Sequence, residues 1–465
     1  MLTYSLEDRG SLPLYEYLYR RIRKDILEGR VAAGERLPSK RALAEHLQVS
    51  VITVENAYRQ LEAEGFLLSR PRRGFFAAPV EGRTAGPAAA VPMPAAAPEG
   101  EEPVWRLDLT SGQVDVSRFP VSVWARLTRQ VLDQGGAALL TPVHRQGLPA
   151  LRQAIAGDLR QRKGMAVSPE QIVVGAGAEY LYLLLAQLLA GSAFALEDPG
   201  YPKICQVYGK CGAVCRPVPL DGQGVNLGAL GASGAGVLHL SPSHHYPTGL
   251  VTPIGRRQAL LRWAEERDGF LIEDDYDSEL RLTGRPIPTL QSIDGGGRVV
   301  YMNTFSQTIS PSMRLGFMVL PPRLLERYRR ELGFYACTVP ALDQHVLARF
   351  LSGGHYDRHL ARMRKEYRTR RDRVLEAFRS SPFADRIAIS EQGAGLHFLL
   401  RLDTDRSDED LRRRGEALGV RLGFLSEYAV RPHPGYDHTL VVNYAGLEED
   451  SLPQAMELLG EVLGE

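Results

Sequence analysis

Five polar strings in this sequence each follow a short apolar run, and their residue types suit a charged, ring-containing ligand. They are Gly175-Ala-Gly-Ala-Glu179, Glu197-Asp-Pro-Gly-Tyr201, Ser241-Pro-Ser-His-His-Tyr-Pro-Thr-Gly249, Glu273-Asp-Asp-Tyr-Asp277, and Asn303-Thr-Phe-Ser-Gln307 with Arg314 just beyond it. A small-residue turn entering a helix, as at Gly177 and Ala178, offers backbone N–H groups and the positive end of the helix dipole to an anion. Ser306 adds a hydroxyl, and Arg314 a fixed charge with forked donors. Tyr201 offers a flat face for stacking. Asp274 can hold a ring nitrogen protonated, because a carboxylate beside a cation stabilises both charges. Together these parts fit a phosphorylated ring. Any one string alone reads as a solvated loop; five of them converging read as a binding crevice.

The elements that must position them alternate between helix and strand. Apolar runs at Ile172-Val-Val174, Ala193-Phe-Ala-Leu196, Gly236-Val-Leu-His-Leu240, Gly269-Phe-Leu-Ile272 and Val299-Val-Tyr-Met302 predict strands. Helical patterns at Glu179 to Ala190 and Gly255 to Glu266 lie between them. The alternation continues to the end of the chain and predicts a mostly parallel sheet covered on both faces. In such sheets a ligand sits at the carboxyl ends of the strands, where the polar strings stand.

The N-terminal part has a different pattern. Leu14, Leu18, Ile22 and Ile26 recur on one helical face, and Gly29 follows as a stop. Ser39 and Ser50 read as N-caps of two short helices, the second with Val54, Ala57, Tyr58 and Leu61 on its apolar face. Phe66-Leu67-Leu68, Arg70-Pro-Arg-Arg-Gly74 and Phe75-Phe76 read as strand, turn and return strand. Two helices joined by a tight turn and followed by a basic hairpin predict a winged helix-turn-helix and a double-stranded DNA partner. Ser50 and Thr53 stand at the end that enters the major groove. Arg70, Arg72 and Arg73 stand on a wing that meets phosphates. The plainer alternative is a small helical bundle with a solvated basic hairpin.

The chain has 465 residues, too many for one ordinary core, and a formal net charge of +1, which by itself implies no nucleic-acid partner. Residues 1–79, with 13 Lys+Arg and 10 Asp+Glu, carry a mild excess of +3. The Pro- and Ala-rich segment at 80–103 is poor in large apolar residues and reads as a tether. The expected domains are therefore 1–79, the tether at 80–103, and 104–465. No secretory leader or membrane-spanning run is expected, so the chain reads as soluble and cytoplasmic. Cys205, Cys211 and Cys215 lie close together without zinc-ligand spacing, and read with Cys337 as reduced, partly buried thiols.

On these residues the chain resembles the MocR/GabR-type subfamily of GntR transcription regulators over nearly its whole length. Leu37-Pro-Ser-Lys-Arg-Ala-Leu-Ala-Glu-His-Leu-Gln-Val-Ser50, Thr53-Val54 and Leu61-Glu-Ala-Glu-Gly65 are similar to the GntR winged helix. Glu197-Asp-Pro-Gly-Tyr201, Pro242-Ser-His-His-Tyr-Pro-Thr-Gly249, Glu273-Asp-Asp-Tyr-Asp-Ser-Glu279 and Thr304-Phe-Ser306 with Arg314-Leu-Gly316 are similar to fold-type I aminotransferases, which use pyridoxal phosphate. The resemblance implies an α/β chain: an N-terminal winged helix-turn-helix plus a fold-type I aminotransferase-like domain with a mostly parallel central sheet. It also implies that Tyr201 stacks on the pyridine ring, Asp274 pairs with its nitrogen and Tyr276 with its phenolic oxygen. Thr304, Ser306 and Arg314, with the turn at Gly177 and Ala178, would hold the phosphate. A homodimer is implied as well.

The sequence departs from the family at two positions. The family places its Schiff-base lysine directly after Ser306, where this chain has Gln307. Recognition helices of the family commonly carry Arg after the serine N-cap, where this chain has Val51, so Lys40, Arg41, Arg59 and the wing must carry more of the DNA contact. A glutamine amide is neither a nucleophile nor a titrating base, so transaminase turnover is expected to be absent or very weak. The expected function is a DNA-binding regulator that senses pyridoxal 5'-phosphate, pyridoxamine 5'-phosphate or an adduct with an amino compound, non-covalently at best. The alternative is an active aminotransferase with an appended DNA-binding domain, if Gln307 is an engineered change or another lysine substitutes, with Lys203 the first to check. A third reading is a scaffold whose cofactor site is vestigial.

Overall fold

The computed structural model describes residues 2–80, 104–110, 112, 114–282, 284, 287–390, 393 and 395–464. The expected tether at 80–103 lies outside them apart from Val80. The chain divides into two compact units, Met1–Glu102 and Pro103–Glu465.

In the first unit, α1 (Leu14–Leu27) buries Tyr17, Leu18, Ile22 and Ile26. α2 (Lys40–Leu47) and α3 (Val51–Ala63) are each capped by a serine: Ser39 Oγ accepts from the Ala42 N–H, and Ser50 Oγ from the Thr53 N–H. The tight turn between them passes through Gln48 in the left-handed region (φ 53°). α3 buries Val54, Ala57, Tyr58 and Leu61 against α1 and α2. β1 (Leu67–Arg70) and β2 (Gly74–Ala77) pair antiparallel, and Arg70 and Gly74, expected in the turn, are strand residues because the ladder matches them with each other. The result is three helices followed by a hairpin.

In the second unit, eight strands form one sheet in the order Ile172–Gly175, Gly316–Val319, Val299–Thr304, Phe270–Asp274, Val237–Leu240, Ala193–Asp198, Val214–Asp221, Gly224–Val225. The four ladders from Val299–Thr304 through to Val214–Asp221 are parallel, while Gly316–Val319 runs against both its neighbours. The strands Ile172–Gly175, Val237–Leu240, Val299–Thr304 and Gly316–Val319 are buried along their whole length, which explains their largely apolar runs. Three strands of the sheet extend two residues past the apolar run. Asp198, Asp274 and Thr304 are paired strand residues instead of loop residues, because the ladders continue to Pro219, Met302 and Gly316.

The expected helix–strand alternation breaks down after Arg379. There Ile387–Ser390, His397–Leu402 and Thr439–Asn443 make a separate antiparallel sheet. It packs its apolar side chains on the helices His355–Arg379, Asp408–Leu418 and Leu452–Leu463. His397–Leu402 pairs antiparallel with both neighbours, with Ile387–Ser390 across a short connection and with Thr439–Asn443 across one that contains the helix Asp408–Leu418. No helix among the described residues is long and apolar enough to cross a membrane.

Candidate functional site

The sheet register gathers the polar strings. Gly175 pairs with Gly316, which also pairs with Thr304, so three strand ends share one row. Gly177 caps the helix Ala178–Leu188 with φ +85°, a conformation that suits glycine. A Cβ there would meet Arg314 Nη2 at 2.8 Å, so the guanidinium lies against the bare backbone of Gly177. Arg314 is itself left-handed (φ 48°) and leads into Gly316–Val319. Its Nη2 donates to Glu179 Oε2 at 2.8 Å, and Lys203 Nζ donates to Glu179 Oε1 at 2.8 Å. Two cations thus face one carboxylate at a helix N-terminus, leaving net positive charge where an anion would dock. The hydrogen bond from Lys203 and the nearby Arg314 hold the Glu179 carboxyl below its usual range.

Asp274 is buried at its strand end. Its Oδ2 accepts from Tyr182 Oη at 2.6 Å and lies 3.4 Å from His239 Nε2, and His239 Nδ1 is 2.8 Å from Tyr208 Oη. Burial, then Asp274, pushes the Tyr182 hydroxyl well up, with Tyr201 also near enough to contribute, so that hydroxyl donates. Tyr201 is 42% exposed and meets Tyr246 edge-on at 6.1 Å; Tyr246 Oη is 2.8 Å from Tyr428 Oη. Tyr276 Oη lies 3.2 Å from His244 Nδ1, which is 2.8 Å from Asp277 Oδ2. Gly177, Arg314, Lys203, Tyr201, Tyr182 and Asp274 therefore belong to one connected neighbourhood.

Ser306 and Gln307 follow Thr304 on the segment that returns to Arg314, closed by Phe305 N–H donating to Leu315 O at 2.9 Å. Thr304 is buried and Ser306 half-buried. The Oε1 of Gln307 is buried and accepts no hydrogen bond from the described residues. A buried carbonyl oxygen without a donor is costly, and it marks a place where a ligand donor fits.

Lys203 and Lys163 both have carboxylate partners. Lys203 is tied to Glu179, whose hydrogen bond raises its pKa. Lys163, which no sequence pattern singles out, ends the helix Pro149–Lys163 with its side chain largely buried, 2.8 Å from Asp275 Oδ2 and 3.3 Å from Glu279 Oε1. Burial lowers its pKa, but the two carboxylates outweigh that and raise it. Both amines are held as ammonium ions, which are not nucleophiles. Glu179 as a clamp, and Tyr182 and His239 as partners of Asp274, were likewise not foreseen. Their signal is three-dimensional, although Glu179 lies inside one of the five polar strings. The Glu197 side chain is buried, accepts from the Ser241 N–H at 2.8 Å and lies 3.5 Å from His245 Nε2, and burial pushes its carboxyl up to about 8. The four cysteines are free, with Cys205 and Cys211 exposed, contrary to the partly buried cluster expected for them.

On the small unit, Thr53 Oγ1 sits 2.8 Å from Ser50 Oγ, inside the cap. Lys40 and Arg59 both lean on Glu55, at 2.8 and 3.9 Å, which draws charge away from the face they were expected to serve. Arg41, Arg72 and Arg73 are exposed, and Arg70 lies over the Phe76 ring at 4.7 Å. The hairpin tip is left-handed at Arg72 (φ 60°).

The family description "Aminotransferase class I and II" matches residues 106–459, and "Bacterial regulatory proteins, gntR family" matches residues 14–77. The chain is 36% identical to the uncharacterized HTH-type transcriptional regulator YdeL of Bacillus subtilis over 96% of both chains. It is 33% identical to the probable rhizopine catabolism regulatory protein MocR of Rhizobium meliloti over 98% of this chain and 94% of that one. Among solved structures, LysN, an α-aminoadipate aminotransferase from Thermus thermophilus complexed with N-(5'-phosphopyridoxyl)-L-leucine, superposes with a TM-score of 0.66 at 25% identity, covering 77% of this chain and 92% of that one.

Proposed function

The chain belongs to the MocR-type subfamily of gntR-family transcription regulators, with a DNA-binding gntR unit and an aminotransferase-like unit, and we propose that the latter senses a vitamin B6 phosphate ester without holding it covalently. The ligand is pyridoxamine phosphate, pyridoxal phosphate, or such an ester already joined to an amino compound. The phosphopyridoxyl–leucine held by LysN has that last form.

The residues fit this group. Ala178 supplies an N–H donor at a helix N-terminus, beside the bare backbone of Gly177, whose own N–H donates to Gly175 O at 2.8 Å, and Thr304, Ser306 and Arg314 supply hydroxyls and charge for the phosphate. Tyr201 takes the ring face, Asp274 the ring nitrogen and Tyr276 the phenolic oxygen. In enzymes that hold it, the cofactor supplies an electron sink. Here the residue after Ser306 brings hydrogen-bonding capacity alone. The observation that carries the reading is Gln307: its buried Oε1 lacks a donor while Lys163 and Lys203 are both ion-paired. The amide can accept from an amino group and cannot form the Schiff base, so in this reading transaminase turnover is absent or very weak.

Within the same proposal, residues 1–79 and 104–465 act as domains joined by the tether at 80–103. The regulator works as a homodimer on double-stranded DNA, with Lys40, Arg41, Ser50, Thr53, Arg59, Arg70, Arg72 and Arg73 at the DNA face and the amino compound as effector. Calorimetric titration of the full chain with pyridoxamine phosphate and pyridoxal phosphate tests the binding claim. Saturable binding of either supports it, and absence of heat with both removes it.

A further inference from the structure

The first turn of α3 presents two branched apolar side chains to solvent: Val51 is 41% exposed and Ile52 is 68% exposed. The packing of Val54, Ala57, Tyr58 and Leu61 fixes how the helix is rotated, and leaves Val51 and Ile52 on the outward side of its N-terminal end. Asn56 stands one turn beyond Ile52 on the same face, with no side-chain hydrogen bond among the described residues. The Thr53 hydroxyl is engaged with the cap at Ser50. Between Ser50 and Tyr58 the helix contains no Arg or Lys.

The end of the helix that meets base edges is therefore equipped with methyl groups and one amide. Guanine is read by Arg or Lys, and neither is present there. In the major groove the apolar feature is the C5-methyl of thymine, and the match for an Asn amide is adenine N6 and N7. Exposed Ile and Val beside a cap gain most from a partner that covers them, and a thymine methyl in the groove does so.

We propose that Val51 and Ile52 are specificity-determining residues that read thymine methyl groups, with Asn56 reading adenine, so that the base pairs under the first two turns of α3 are A·T. The proposal rests on the DNA-binding assignment of the small unit.

The full-length protein is used to select from duplexes with a randomised core of about 20 base pairs, roughly two turns of DNA. The enriched duplex is then resynthesised with deoxyuridine replacing one thymine at a time. The expected result is an A·T-centred half-site in which removal of a single methyl lowers affinity about four-fold. Ile52→Ala and Val51→Ala, both at exposed positions, should remove the deoxyuridine penalty at their own thymine while keeping the slope of affinity against salt. Asn56→Ala should relax the preference for adenine. Deoxyuridine tolerated at every position, or an enriched half-site of G·C pairs, overturns the proposal. No enrichment together with no salt-dependent binding of any duplex overturns the DNA-binding assignment beneath it.

Discussion

A glutamine amide both donates and accepts hydrogen bonds, yet its nitrogen lone pair is delocalised into its own carbonyl and does not attack another, and on the proposed function that one exchange at residue 307 separates binding from turnover. The affinity must then come from the surrounding side chains. Arg314 lies over Gly177 and is shared with Glu179, so it is the group best placed to feel a phosphate. Arg314→Ala should weaken pyridoxal phosphate by about 10- to 100-fold, the range for a hydrogen bond to a charged group, and leave unphosphorylated pyridoxal unchanged. Calorimetry with both compounds checks it, and equal losses would place Arg314 away from the phosphate. A second effect at this scale concerns protons. With its carboxyl near pH 8 in the folded chain, Glu197 keeps a proton that the unfolded chain has released above pH 4.5. Stability is therefore lost as pH rises from 4.5 to 8. Glu197→Gln keeps an acceptor for the Ser241 N–H and removes this dependence. The variant should gain stability relative to the parent from pH 5 to pH 8 in denaturant titrations; a constant difference contradicts it.

At the scale of elements, the two serine caps and the hairpin were legible because they are local: a cap and the N–H it accepts lie three residues apart. The apolar strands were legible too, since burial on both faces leaves few polar positions in them, His239 being one. Their ends were not, because Asp274 and Thr304 are drawn into strands by ladders to distant segments. The clamp of Arg314 and Lys203 on Glu179 and the pairing of Lys163 with Asp275 span 135, 24 and 112 residues, and no periodicity encodes such pairings. The antiparallel C-terminal sheet was missed for a related reason: its short strands lie between helices and imitate an alternating pattern. The hairpin itself makes a prediction. Arg72 and Arg73 are exposed at its tip, so replacing both by Ala should weaken binding on many duplex sequences. The slope of log affinity against log salt should fall by about 0.9 for each phosphate that is no longer neutralised. Unchanged affinity would remove the wing from the DNA face.

At the scale of the molecule, an aminotransferase-like unit and a DNA-binding unit share one chain, and under the proposed function any coupling between their ligands is reciprocal. Whatever factor the B6 ester applies to DNA affinity, DNA must apply to ester affinity. A ligand that binds only the folded large unit also stabilises it, by about 2.7 kcal/mol at 100 times its Kd. Thermal scans with pyridoxamine phosphate should raise the unfolding temperature of the unit at 103–465 as concentration increases, and a transition indifferent to ligand would contradict that. The most direct measurement is borohydride reduction of the protein saturated with pyridoxal phosphate, followed by peptide mapping. Saturable uptake with every one of the six lysines unmodified is the predicted result. A pyridoxyl group fixed to Lys203, Lys163 or any other lysine would contradict non-covalent sensing.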